Sequence, residues 1–386
     1  MPFNSGFLYY CLLSLLMISC NNKRVVKQAD STLKTIDTTV IFPPVIEEDE
    51  LASFISGVPG FKSKCYQRLD TVVHWTRFSK DLDSLFSCAD SVRINNIDKW
   101  ANSELIRNPG IKTLFYPFSG PDFLNADIYY PEVSQYIMIG LEPVGRLPDL
   151  CGEPADSVSS YMADIKENLR DLLKRSYFIT RRMEVDLSKT KINGTLPLIC
   201  LFIKRTGYHI QAIHKIGVDS TGNCLITDNL RIPRKLVRGV RVDFNRPPDS
   251  TSKSVYYFRV DISDKNLKDT PGFSTYLSGL PQSYTFLKAA SYLLHFKEFG
   301  FIRKLIFDKS YTILQDDSGI AYQLFNKKKW DIRLYGSYSK PKSEFSFIKE
   351  PDLEKAYQQS VVRPLPYSLG YNWRTDHTSM LYAIKK

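Results

Sequence analysis

Phe118-Ser119-Gly120-Pro121-Asp122 and Glu142-Pro143-Val144-Gly145 each follow a run of strand-forming residues, which sets a hydroxyl and two carboxylates where two strands end. If those strands are parallel neighbours, that edge is where open α/β sheets take ligands, because loops and helix N-termini converge there. Ser119 can donate to a ligand or accept from it, while Asp122 and Glu142 can serve as base, acid or hydroxyl-binding groups. A plainer role competes for two of them. Ser119 as a helix N-cap with Asp122 at the N3 position is ordinary capping, and Pro121 suits a helix start. Glu142 directly follows apolar residues, where a carboxylate requires solvent or a partner.

A second constellation lies in residues 283–299, whose apolar spacing predicts a helix. On it Lys288, Ser291, Tyr292 and His295 recur at i, i+3, i+4 and i+7 and would share one face. A lysine beside a serine supports nucleophilic chemistry when burial lowers its basicity. The competing reading is a solvated polar face opposite Phe286, Leu287, Ala290, Leu293 and Leu294. Asp316 and Asp317, in Gln315-Asp316-Asp317-Ser318-Gly319, are paired acids suited to a hard cation or, more simply, residues of a hairpin loop. The catalytic candidates are therefore Ser119, Asp122, Glu142, Lys288, Ser291, Asp316 and Asp317. The five histidines make no His-Glu-x-x-His or facial-triad spacing, and no Gly-x-Ser-x-Gly elbow or Walker loop is present. No metal site and no cofactor is expected.

The elements that would carry these residues read as follows. Residues 71–89 place Val72, Trp75, Phe78, Leu82, Leu85 and Phe86 at helical spacing, and residues 158–174 carry a cleaner stripe of the same period. Between them, a strand at 112–119, a short helix at 122–130 and an almost wholly apolar strand at 135–141 predict a βαβ unit with a buried parallel sheet. Beyond residue 195 the pattern predicts strands at 196–204, 209–218, 223–227, 254–262, 301–307, 311–314, 320–325 and 332–338, with Asp219-Ser-Thr-Gly222 as a hairpin turn. The fold class is thus α/β: a βαβ-containing portion at 51–190, then a β-rich mixed α+β portion at 191–386, the two forming two lobes or one domain. The βαβ with an acid at the end of its second strand is similar to nucleotide- or methyl-donor-binding units, but a lone Gly120 followed by Pro121 lacks their glycine-rich loop.

The first residues carry an address. The run 7–18 is too short for a spanning helix and suits a signal-peptide core; it ends at Met17-Ile18-Ser19-Cys20. A small residue before the cysteine, after apolar ones, resembles the lipobox of bacterial lipoproteins. That resemblance implies removal of residues 1–19 and acylation of Cys20. Residues 20–50, polar and ending in Pro-Pro and an acidic cluster, read as a tether. The expected place is the cell envelope, on the outer membrane facing the periplasm. The net charge of +11 is scattered over the sequence, densest at Arg231–Arg241 and Lys327–Lys329. Without a recognition module it gives no reason to expect nucleic acid; an anionic membrane or an acidic glycan suits its sign. Five cysteines follow Cys20, so at least one is unpaired within the chain, and Cys65–Cys88 is one possible bridge.

The strings YPFSGPDFLNADIYYP, YIMIGLEPVG, FLKAASYLLH and ILQDDSGIAY, spread over residues 112–145 and 283–338, resemble signature stretches of uncharacterised bacterial lipoproteins. That resemblance implies the anchor and no particular chemistry. Three functions are compatible with the sequence: a tethered module binding a ligand, an envelope protein or a glycan; an envelope hydrolase working at Ser119, Asp122 and Glu142; and a structural or assembly lipoprotein.

Overall fold

The computed structural model describes residues 46–175, 192–228, 236–248, 251–341, 345–370 and 378–386; the signal segment and Cys20 lie outside them. The described residues belong to one compact unit.

Its centre is the expected βαβ. Thr113–Tyr116 (β1) runs through Phe123–Tyr129 (α5, after four earlier helices) into Gln135–Gly140 (β2), and the two strands pair in parallel with Thr113 opposite Gln135. The parallel sheet is larger than the sequence suggested. Lys253–Arg259 (β6) pairs in parallel with β2, Ser283–Leu287 (β7) with β1, and Ser310–Asp316 (β8) with β7. The five parallel strands lie in the order β6-β2-β1-β7-β8. His209–Val218 (β3), Cys224–Ile226 (β4) and Val237–Asn245 (β5) extend one side by antiparallel pairing; on the other, Ser379–Lys385 (β11) runs antiparallel between β8 and Trp330–Gly336 (β9), and Val362–Arg363 (β10) adds to β9 in parallel. Both halves of the chain thus contribute to one 11-stranded sheet.

Strand alternation builds two cores, because successive side chains point to opposite faces. Leu114, Tyr116, Tyr136 and Met138 enter one with Phe123 and Tyr129 of α5; Phe115, Ile137 and Ile139 enter the other with Phe273, Ile302 and Leu353. The first core also takes the predicted stripe of Ala155–Arg175 (α6): Val158, Tyr161, Met162, Ile165, Leu169, Leu172 and Leu173 are all buried. The chain therefore crosses from β1 to β2 on one face, and from β6 through β7 to β8 on the other. The crevice between β1 and β7 is the point where the winding reverses, the usual ligand position in such sheets.

Several expectations fail for identifiable reasons. Residues 71–89 are not one helix: Lys64–Val72 (α2) stops, His74 adopts a left-handed φ of 53°, and Trp75–Ala89 (α3) starts afresh, leaving Val72 exposed. Residues 196–204 form a helix, Leu196–Arg205, rather than a strand; buried all round, it has no polar face to reveal its period. Residues 301–307 likewise belong to the helix Gly300–Lys309, and a 3-10 turn, Tyr322–Leu324, occupies part of 320–325. The predicted helix at 283–299 is instead β7 followed by the 3-10 turn Ala290–His295. The last residues of the expected tether are helical too, in Ile46–Ser56 (α1). Asp49 accepts from Lys204 Nζ at 2.8 Å and from the Ile210 amide at 2.7 Å, while Glu50 accepts from the Lys62 and Ser63 amides. Cys65 bridges to Cys151, 86 residues away, and Cys88 is an exposed free thiol.

Candidate functional site

Three of the seven candidates meet at the β1/β7 crevice. The turn after β1 is tight: Phe118 has φ 60°, Gly120 φ 53°, and the Ser119 amide donates to the Ile139 carbonyl at 2.8 Å. It delivers Asp122, not Ser119, as the N-cap of α5, with Asp122 Oδ1 accepting from the Asn125 amide and side chain. Oδ2 accepts from the Tyr116 hydroxyl at 2.8 Å and pairs with Lys288 Nζ at 2.5 Å. Lys288 is the first residue past β7 and is buried, so the solvated helix face proposed for it does not exist.

Asp316 closes the cluster at the end of β8. Its carboxylate accepts from the Ala289 amide at 2.9 Å, the Ser318 amide at 2.9 Å and the Ser318 hydroxyl at 2.5 Å. It is therefore not part of an exposed hairpin. Burial pushes the Lys288 ammonium below its usual basicity, against the pull of Asp122, and pushes the Asp316 carboxyl upward. Asp317 rises to about 7, first by burial and then by the neighbouring Asp316, while its Oδ2 accepts from the Tyr292 hydroxyl at 2.6 Å. Arg93, between α3 and the helix Asn95–Glu104 (α4), faces Asp122 from the helical layer and donates to the Leu173 carbonyl at 2.8 Å. Nothing in the spacing of the sequence marks Arg93 or Tyr116: Tyr116 bonds Asp122 and Arg93 feels its charge only through tertiary packing. This cluster is almost fully enclosed: Asp122, Lys288 and Asp316 are each 3 % exposed or less. Ser291 is buried, and its hydroxyl has no partner among the described residues.

Ser119 and Glu142 are placed differently. The Ser119 hydroxyl turns to the backbone, donating towards the Gly120 and Ile139 carbonyls at 3.0 and 3.3 Å. Glu142 is 4 % exposed, and Tyr257 of β6 donates to its carbonyl at 3.0 Å and its Oε2 at 3.3 Å. This fold-back requires Gly140, since a Cβ there would lie 2.4 Å from Glu142 Oε2 and 2.6 Å from the Tyr257 hydroxyl oxygen. Glu142 then lines a cavity of about 850 Å³ at the carboxyl ends of β2 and β6. Its walls are Leu141–Gly145, the start of β5 with Arg238 and Gly239, Lys215 of β3, and Arg259, Val260 and Asp261 at the end of β6. Pairing of the Thr195 and Leu196 amides with the Pro143 and Val144 carbonyls at 2.9 Å fixes the Glu142 loop. Gly145 permits that approach, for a Cβ on it would collide with the Asn193 carbonyl.

The carboxyl edge of the sheet thus carries two arrangements: an enclosed ionic cluster joining the ends of β1, β7 and β8, and, beyond β2 and β6, an open cavity with Glu142 in its wall. Comparison with family models, curated proteins and solved structures finds no match to the chain.

Proposed function

We propose that the protein is a lipid-anchored module of the bacterial cell envelope, held through acyl chains on Cys20 to the outer membrane and facing the periplasm, whose α/β body binds a small ligand in the cavity beside Glu142. The observation that carries the binding part is that cavity. It is ligand-sized, lies at the carboxyl edge of the parallel strands β2 and β6, and has in its wall the Glu142 carboxylate, held from behind by the buried Tyr257 hydroxyl. The anchor rests on the Met17-Ile18-Ser19-Cys20 sequence, and the Cys65–Cys151 bridge suits an oxidising compartment such as the periplasm. Among the described residues no helix is long and apolar enough to cross a membrane.

A hydrolase acting through Ser119 draws less support, because that hydroxyl is occupied by backbone carbonyls and Lys288 is already paired with Asp122. The ligand reading is tested by ligand-observed NMR of the mature protein against hydroxylated small molecules, beside a variant at Leu236, the cavity-wall residue just before β5, in which Leu236→Trp fills the cavity. Binders that the variant loses support the reading; binders it keeps, or none at all, contradict it. The anchor is tested by Cys20→Ser, which should block processing or release the chain from the membrane fraction.

A further inference from the structure

Lys215, Arg238 and Arg259 come from three adjacent strands and line the same cavity. Arg238 and Arg259 are direct partners in the β5/β6 ladder, which places their side chains on one face of the sheet. Gly217 is the β3 partner of Arg238, so Lys215, two residues before it, shares that face as well. All three residues are exposed, and none of them makes an ion pair among the described residues, so their charges are open to an anionic ligand. Arg241 on the same strand as Arg238 differs, pairing with Asp243 at 2.7 Å and lying over the Tyr256 ring. Arg259 Nε donates to the Leu141 carbonyl at 3.1 Å, which orients its guanidinium beside the Glu142 loop. The other acid of the cavity wall, Asp261, accepts from the Ser263 amide at the start of the next helix.

Resting on the ligand reading above, we infer that Lys215, Arg238 and Arg259 hold a phosphate or sulfate ester of a hydroxylated ligand, such as a sugar, whose hydroxyls reach Glu142. Two guanidinium groups side by side suit a tetrahedral oxyanion, since each offers a planar fork of N–H donors. Glu142 supplies the complementary acceptor for hydroxyl hydrogens. A bare anion would gain only the cationic half of the site, and an uncharged sugar only the acidic half.

The test is calorimetric titration of the mature protein at low ionic strength with inorganic phosphate, glucose 6-phosphate, glucose 6-sulfate and glucose. Either ester should bind at least tenfold more tightly than phosphate, and glucose should bind more weakly than both esters. The relative affinities of the two esters decide between phosphate and sulfate. The double variant Arg238→Gln/Arg259→Gln should lose ester binding by tenfold or more, Arg238→Lys/Arg259→Lys should recover part of it, and Glu142→Gln should weaken the esters while sparing phosphate. The arginine changes lie at exposed positions and Glu142→Gln keeps the size of a buried side chain, so unchanged melting curves verify folding of each variant. Ester binding that is absent, or that survives loss of both arginines, overturns the inference. If the NMR screen then still finds uncharged ligands displaced by Leu236→Trp, the cavity reading stands without its anionic subsite; if it finds none, both fall.

Discussion

Asp122 and Lys288 illustrate how a pair of residues suited to chemistry can serve the fold instead. Two opposite charges lie 2.5 Å apart with almost no solvent contact, and Tyr116 and Asn125 saturate the carboxylate. Removing one partner leaves a buried charge, which costs about 3–5 kcal/mol, whereas removing both is far milder. Lys288→Met and Asp122→Asn should each lower unfolding stability in urea by that order, and the double variant should lose clearly less than their sum. Simple additivity would mean the pair is not coupled. Asp317 gives a pH prediction with a definite sign. Its folded pKa is raised to about 7 from an ordinary value of 3.8, so between these values the folded state binds the extra proton. The stability this contributes is complete below about pH 4 and is lost as pH rises through 7. Asp317→Asn should therefore match the parent in acid and exceed it above neutrality. The gain is about 1.4 kcal/mol for every tenfold difference in proton affinity between the folded and unfolded chain. Melting curves at pH 4.5 and 8 measure it; an equal difference at both would contradict it.

At the scale of elements, what the sequence made legible depended on exposure. The α6 stripe and the β1–α5–β2 unit were readable because one keeps a polar face and the other is bounded by turn residues. The helix Leu196–Arg205 and strand β7 were not, since an element buried on every side carries no period. That error misplaced Lys288, and with it Ser291 and Tyr292, on a solvated helix. Asp122 and Glu142 were visible as strand-end acids, but the basic side of the cavity was not. Lys215, Arg238 and Arg259 lie on separate strands, and register is decided by tertiary pairing. The β7 exit also carries strain. Ala289 has φ 60° and ψ −86°, a positive-φ conformation that L residues rarely adopt, and its amide is held by Asp316. Ala289→Gly should relieve this and stabilise the protein by about 1 kcal/mol, read from the denaturation midpoint. Destabilisation instead would show that the turn is not strained.

For the whole molecule, the sheet joins the two halves of the chain, and the disulfide ties the helical layer to the loop after β2. Cys65 sits on α2 and Cys151 just before α6, closing 86 residues of chain. Chain-entropy reasoning assigns a bridge of that span about 4.6 kcal/mol. Cys65→Ser/Cys151→Ser should melt well below the parent, and reductant should lower the parent towards it while leaving the variant unmoved. The functional reading rests on the cavity at the carboxyl ends of β2 and β6. Its most direct test is a crystallographic fragment soak of the mature protein. Fragments should collect in the cavity bounded by Glu142, Arg238 and Arg259, with acidic ones against the arginines and hydroxylated ones against Glu142. A cavity that stays empty while fragments settle elsewhere on the surface would contradict the binding role.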